Sequence, residues 1–447
     1  MVDSPAVRTA EPTLDSCELR RPIVKVRFFC LCLAAALLIA CGPQPEPPAT
    51  EVELRASPTA LAGAGSTPSP SPAPTRVSIW LSWTSAELAA LAPLIDVYRQ
   101  EHPGVEFALA FYPPDELLQA YRDHPAGADP AILIGPSHWG LDLWQEGAIQ
   151  DLRTQISPTV WSRLYPLSEA SVEYGGTRFG IPLRLNGDVL FRNAQRADTP
   201  AETVTAWIAA IRRSSVGAQE GAALDLGFHI SAPFMAACGG QVVGGLQGLS
   251  VDPAAGVCWM VLLQNLGRWT LVVMNSDQDR ELFHSQLATW IVEEAANAQA
   301  MREALPANSV SVDDWPIYPP TGLRLAGFTW SEAGFVSAGL SPERVEQAAS
   351  FLSFLAGREA QSALAQAAGV FWLPVDTGAV PADPLAVSAL RAVLAGMPRP
   401  MVSGEPPEIH LLEQAVRASA IQGTGPNLAW QSLEDAWTGG WIESEGG

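Results

Sequence analysis

Val77-Ser78-Ile79-Trp80-Leu81 runs straight into Trp83-Thr84-Ser85-Ala86-Glu87, and this junction sets the architecture of the chain. The first five residues alternate and include β-branched and aromatic side chains, the pattern of a strand. In the next five, Thr84 and Glu87 are spaced as a capping box, so a helix begins there. Leu88, Leu91, Leu94, Ile95 and Tyr98 then recur at helical spacing with Pro93 as a kink, until His102-Pro103-Gly104 ends the element. Val105 to Phe111 reads as a second strand, residues 115–122 as a second helix, and Ala131-Ile132-Leu133-Ile134 as a buried third strand. This alternation belongs to a mainly parallel sheet covered by helices, so the first lobe is α/β.

At 447 residues the chain is long enough for two or three such lobes. Its hydrophobic fraction of 48% against 16% charged residues is that of a folding chain. The formal net charge of -21 repels a phosphate backbone, and nucleic acid is excluded as a partner class. Lys25 is the single lysine among the basic residues, with no arginine cluster beside it.

Arg20, Arg21, Lys25 and Arg27 precede the apolar run Phe28 to Ala40. That run is too short to cross a hydrocarbon core of about 30 Å, and with its basic flank it describes a secretory signal segment, residues 1–40. Leu38-Ile39-Ala40-Cys41 resembles the lipobox of bacterial lipoproteins, which implies cleavage before Cys41 and a lipid on its thiol. A buried helix ending in a chance cysteine is the plain alternative. Residues 42–75 hold nine prolines and almost no large apolar side chain, so residues 41–75 read as a tether reaching on the order of 30 Å. Cys17, Cys30, Cys32 and Cys41 lie in or before this region, leaving Cys238 and Cys258 as the pair in the body. Outside the cytoplasm such a pair oxidises, and the glycine-rich stretch between them allows a hairpin closed by a disulfide.

Four segments in order, IWLSWTSAELAALAPLIDVYRQEHPGVEF (79–107), DPAILIGPSHWGLDLWQEGAIQDL (129–152), YGGTRFGIPLRLNGDVLFRN (174–193) and FTWSEAGFVSAGLSPERVEQAASFLSFLAGREAQSALAQAAGVFWLPV (328–375), carry a likeness. They resemble the extracellular solute-binding proteins of ABC importers, in the sugar-binding branch that includes maltose-binding protein. The resemblance implies a two-lobe periplasmic-binding-protein fold of type II, with lobes joined by a multi-strand hinge over a ligand cleft. Lobe 1 would hold residues 76–184 and 316–373, lobe 2 residues 185–315 and 374–447, and the hinge would pass near Arg184, Trp315 and Pro374. It further implies a monomer that captures a carbohydrate and delivers it to an ABC permease and its ATPase, held on the outer side of the cell membrane by the lipid on Cys41. No cofactor or metal is implied.

Loops after parallel strands face the crevice of such lobes. Trp83 follows the first strand, the helix starting at Ser85 presents free backbone N–H groups, and Ser137, His138 and Trp139 follow the third strand. Carried over residue by residue, the resemblance assigns ligand contacts to Trp83, Ser137, His138, Trp139, Arg184 and Trp330. Aromatic rings suit the flat C–H faces of sugars, yet each of these tryptophans also suits a core position, and Arg184 suits a structural ion pair. The chain departs from the family pattern at Leu287 to Glu294, where an aromatic turn gives way to carboxylates. The aromatic face is either shifted to Trp290 or exchanged for Glu293 and Glu294. In the second case a polyhydroxylated or cationic ligand fits as well as an oligosaccharide.

Two other classes stay open at this point. A surface hydrolase would need a nucleophile with a base, or a metal, but neither G-x-S-x-G nor H-E-x-x-H occurs, and adjacent acids such as Asp313-Asp314 point apart on a strand. The same fold could also serve as a ligand sensor for a signalling partner.

Overall fold

The computed structural model describes residues 74–124, 127–437 and 440–441. The signal segment, Cys41 and nearly all of the tether lie outside the described residues. The body opens with β1 (Thr75–Leu81), α1 (Ser85–Glu101), β2 (Val105–Phe111), α2 (Pro114–Arg122) and β3 (Ile132–Pro136). Both halves of the capping box form: the Thr84 hydroxyl accepts from the Glu87 N–H, and the Glu87 carboxylate accepts from the Thr84 N–H at 2.7 Å. Leu91, Leu94, Ile95 and Tyr98 are buried along one face of α1, and Pro93 lies inside the helix without ending it. β1 pairs in parallel with both β2 and β3, as the alternation of elements requires.

β4 (Ile181–Asn193) is the long strand of the molecule, thirteen residues and nearly all buried. Next come α3 (Val204–Ser214), β5 (Glu220–Asp225), α4 (Pro253–Gly267), β6 (Leu271–Val273), α5 (Gln278–His284), β7 (Ala288–Glu294), α6 (Ala298–Ala304) and β8 (Val310–Asp313). β9 (Phe328–Val336) returns through the middle of the sheet. The chain closes with α7 (Pro342–Leu355), α8 (Arg358–Ala365), α9 (Pro384–Leu394), β10 (Met397–Pro398), α10 (Pro407–Val416) and α11 (Pro426–Ala436), and the two residues 440–441 pair with the strand 248–251.

One sheet runs through both halves in the order β6-β5-β7-β4-β9-β3-β1-β2, with β8 on β4 and β10 on β9. The two central strands carry the crossing. The first half of β4 pairs antiparallel with β9, and its second half pairs antiparallel with β7 and β8. β9 in turn pairs antiparallel with β3. A third passage runs alongside, where the Leu185 N–H donates to the Leu373 carbonyl at 2.8 Å. Close approach of these segments needs glycine at Gly187, where a Cβ would fall 2.6 Å from the Phe328 carbonyl oxygen. Trp315 is buried beside Gly327 at the entry to β9.

Two hydrophobic clusters follow from this sheet. One extends from β1, β3, α1 and α7 through the crossing strands to α6 and α9; the other lies on the opposite face of the second lobe, beneath α3, α4, α10 and α11. α4 is apolar all round because it is enclosed, with Trp259, Met260, Leu262, Leu263 and Leu266 fully buried. Cys258 on this helix is joined by a disulfide to Cys238, their Cα atoms 5.8 Å apart. Among the described residues no helix is long and apolar enough to cross a membrane.

Candidate functional site

A cavity of about 380 Å³ lies where the carboxyl ends of β5 and β7 meet the crossing strands. β5 supplies Asp225, β7 supplies Glu293 and Glu294, β4 supplies Asp188 and β9 supplies Trp330. His229, Asn275, Asp279, Arg280 and Arg399 complete the polar wall. Strand ends of this kind are where open α/β sheets take ligands, since the loops there are free to vary without disturbing the ladder.

The wall is fastened from behind. One oxygen of Asp225 accepts the N–H groups of Gly227 at 2.7 Å and Asn275 at 3.0 Å, and the other accepts that of Ser276 at 3.2 Å. Gly227 has no room for a side chain, because a Cβ would fall 2.1 Å from the Asn275 side-chain oxygen. Arg280 donates to Glu293 at 2.6 Å and to Asp277 at 3.0 Å, so its charge is taken. Glu293 also accepts the Glu294 N–H at 2.8 Å.

Three groups are held less completely. Asp188 and Glu294 are direct cross-strand partners on β4 and β7, an arrangement that turns two carboxylates to one face about 5 Å apart at Cβ. Asp188 accepts the Phe328 N–H at 3.2 Å, and Glu294 accepts from the Asn186 amide at 3.1 Å. Arg399 lies over the Trp330 ring, 5.2 Å from its centroid, and its guanidinium makes no hydrogen bond or ion pair among the described residues.

Electrostatics follow from burial. Asp188 is pushed well above the usual carboxylate range by burial, with Glu294 adding to the push and Arg399 opposing it. Glu294 is raised by burial and then by Glu293, and Asp279 is raised to about 7 by burial, with Glu293 and Asp225 contributing. His229 is lowered to about 4 by burial and by Arg399. His138 is lowered well below the usual histidine value by burial, then by Arg399 and His229, and its Nδ1 is enclosed without a partner. Both imidazoles are therefore neutral near pH 7, and the cavity is acidic in balance.

A larger cavity of about 870 Å³ lies elsewhere on the second lobe. Its arginines are matched: Arg192 with Asp313, Arg302 with Asp383, Arg391 with Asp314, and Arg324 with the Trp315 carbonyl. Its arginines are spent on these partners, whereas the smaller cavity lies at strand ends with Arg399 over Trp330, and the smaller acidic cavity is the candidate.

Of the residues proposed from sequence, Trp330 and Glu293 line this cavity, and Glu294 joins them. His138 belongs to the turn after β3 and lies within electrostatic reach of Arg399 and His229. Ser137 is buried, its hydroxyl accepting the Ser331 N–H at 3.3 Å, which ties that turn to β9. Trp139 lies against its own strand, where a Cβ on Gly135 would be 2.3 Å from the ring. Ser85 is exposed at the start of α1.

Two assignments are corrected by burial and bonding. Trp290 is fully buried and donates its indole N–H to Asp313 at 3.2 Å, so it is a core residue and the exchange for carboxylates is the arrangement present. Trp83 and Arg184 belong to an internal network rather than to the cavity wall. The Trp83 indole N–H donates to Glu332, Arg184 pairs with Glu87 and Glu332, and the Trp372 ring lies 5.2 Å from Trp83 and 5.0 Å from Arg184.

Sequence reasoning missed Asp188, His229, Asn275, Asp279, Arg280 and Arg399. His229 follows β5 and Asn275 follows β6, so both fall under the strand-end rule; Asp188 depends on strand register, and Asp279, Arg280 and Arg399 on packing between distant segments. The lobes also touch beyond the cavity: the Tyr174 hydroxyl accepts the Leu246 N–H at 3.1 Å, and Asp142 accepts the Gly404 N–H at 3.3 Å.

A family model of bacterial extracellular solute-binding proteins matches residues 94–392. This chain belongs to the bacterial extracellular solute-binding proteins. Solved structures agree on the fold. The maltose/maltodextrin-binding domain MalE from Bdellovibrio bacteriovorus, bound to maltotriose, is similar with a TM-score of 0.61 at 18% identity, covering 81% of this chain and 98% of that one. A cyclo/maltodextrin-binding protein complexed with maltotetraose gives 0.68 at 16% identity, covering 82% and 97%. The GacH receptor of Streptomyces glaucescens, solved unliganded and with acarbose, gives 0.62 at 17% identity, covering 81% and 97%. At these identities the likeness is one of fold, the two-lobe periplasmic-binding-protein fold. No curated relative matches the sequence. Solute-binding proteins of this family are binders rather than enzymes and work outside the cytoplasm, which places this chain's body there.

Proposed function

We propose that this solute-binding protein captures a carbohydrate by closing its lobes over the acidic cavity and delivers it, unaltered, to an ABC import permease and its ATPase. The observation that carries the reading is the cavity itself, in which the Trp330 ring offers an apolar face while Asp188, Glu294 and Arg399 hold unspent acceptors and donors around it. A sugar presents the complementary surface, C–H faces edged by hydroxyls that both donate and accept. Closure selects a ligand because contacts from both lobes exist only when the lobes meet. The turn carrying His138 comes from the first lobe, while Arg399 and His229 come from the second.

The lipobox and tether support a body held at the membrane through lipid on Cys41. Replacing Cys41 by Ala should move the protein from the membrane to the soluble fraction, and membrane retention of that variant would remove the anchor from the account. The binding function is tested by thermal unfolding of the mature protein across a panel of mono- to tetrasaccharides. A rise in Tm for at least one sugar is expected, following RT ln(1 + [L]/Kd). A flat response to the whole panel would overturn the carbohydrate reading.

A further inference from the structure

Resting on the capture reading, we infer that the site takes a carbohydrate of one or two rings, and that the Glu332–Arg184 pair is the stop that ends the site on its first-lobe side. β4 and β9 are paired so that Trp330 lies opposite Asn186 and Glu332 opposite Arg184. Side chains two positions apart on a strand share a face. Asp188, Asn186 and Arg184 on β4 therefore form one row with Phe328, Trp330 and Glu332 on β9. Asp188, Phe328 and Trp330 line the cavity, whereas Glu332 and Arg184, about 7 Å further along the strands, do not. The floor of the site stops at this pair.

The stop is held from the first lobe. Glu332 accepts the indole N–H of Trp83, from the loop after β1, and pairs with Arg184, which pairs in turn with Glu87 of α1. Trp372 meets the Trp83 ring edge-on and lies under the Arg184 guanidinium. The Arg184 and Glu332 side chains keep 17% and 11% of their surface accessible, so the pair stands at an edge rather than in the core. Indole, guanidinium and carboxylate are the groups with which a further sugar ring would be bound. Here they bind one another and fill the place that ring would take.

The opposite end is closed as well. Glu413 of α10 accepts the Asn275 side-chain amide at 3.0 Å and the Phe228 N–H at 3.1 Å, while Asp225 fastens Gly227 and Ser276 through their N–H groups. Between the two ends the cavity measures about 380 Å³, near the lower bound of the roughly 300–1,000 Å³ of small-molecule sites. Trp330 is the one indole lining it among the described residues, so rings beyond the first find no second indole to stack on.

The test reads affinity against chain length by calorimetric titration of the mature protein, using a saccharide that raises its Tm together with the one- to four-ring homologues of that saccharide. Affinity is expected to peak at one or two rings, with the three- and four-ring members at least about tenfold weaker. A three- or four-ring member bound within about threefold of the best short one, or more tightly, would overturn the inference and leave carbohydrate capture standing. No binding by any saccharide would overturn both. Glu332→Ala provides a second arm, in which Arg184 keeps its pair with Glu87: the disadvantage of the third ring should shrink at least about fivefold relative to the best short ligand. Glu332→Gln, which keeps the size of the side chain, should retain the parent's length preference. An unchanged preference in folded Glu332→Ala, or the same change in Glu332→Gln, would contradict the placement of the stop. The parent's length series decides the inference even where the alanine variant does not fold.

Discussion

The Arg399 guanidinium lies over the Trp330 ring, 5.2 Å from its centroid, and both residues line the cavity. Trp330→Ala should therefore weaken capture of a binding sugar by about tenfold or more, read by titration, while an affinity within about twofold of the parent would show the ring to be a core residue only. Asp279 is expected to leave a signature in stability. Its carboxyl titrates at about 7 in the folded protein against roughly 3.9 when unfolded. A raised folded value means that the stability this group contributes is complete below the unfolded pKa and is lost as the pH climbs through 7. Asp279→Asn should lack that loss, so the parent's Tm should fall relative to the variant between about pH 5 and pH 8. A constant difference over this range would contradict the assignment. At this scale the sequence was informative about residue types and poor about direction. The rule that loops after strands face the crevice led to Trp83 and to the turn of Ser137 to Trp139, but the Trp83 indole is taken by Glu332, 249 positions away in the chain. Arg399, flanked by two prolines, carries no local pattern that marks a ligand contact.

Among elements, the crossing strand β4 is paired along its length, and Arg184 sits on it opposite Glu332 of β9. With Glu87 and Glu332 both buried beside it, Arg184→Ala leaves two uncompensated carboxylates, and a loss of about 3–5 kcal/mol is expected in denaturant unfolding. A change under about 1 kcal/mol would mean that solvent screens the network. The disulfide pins the start of the second lobe's helical layer to α4, closing a loop with a sequence separation of 20. Replacing both cysteines by serine should cost about 2–4 kcal/mol, seen as a lower Tm with no change in sugar affinity, since neither cysteine lines the cavity. The first five elements were legible because each is specified locally, by a two- or 3.6-residue period and a capping box. The opposition of Asp188 and Glu294 was not, because it depends on the register of strands separated by over a hundred residues. Their position in an expected family turn nonetheless raised the carboxylates of β7 as candidates before any register was known.

For the whole molecule, one sheet runs through both lobes and ties them together. The crossing strands carry continuous hydrogen bonding, a hydrophobic cluster extends from the first lobe to α6 and α9, and the Tyr174–Leu246 and Asp142–Gly404 hydrogen bonds add polar contacts between the two lobes. The net charge of -21 repels the chain from anionic surfaces. The most direct measurement is native mass spectrometry of the protein purified from its own cells, with the released small molecule analysed after unfolding. The account predicts one carbohydrate per chain, released intact. Release of cleavage products, or a chain that never carries a small molecule while its partner transporter is supplied with sugar, would contradict it.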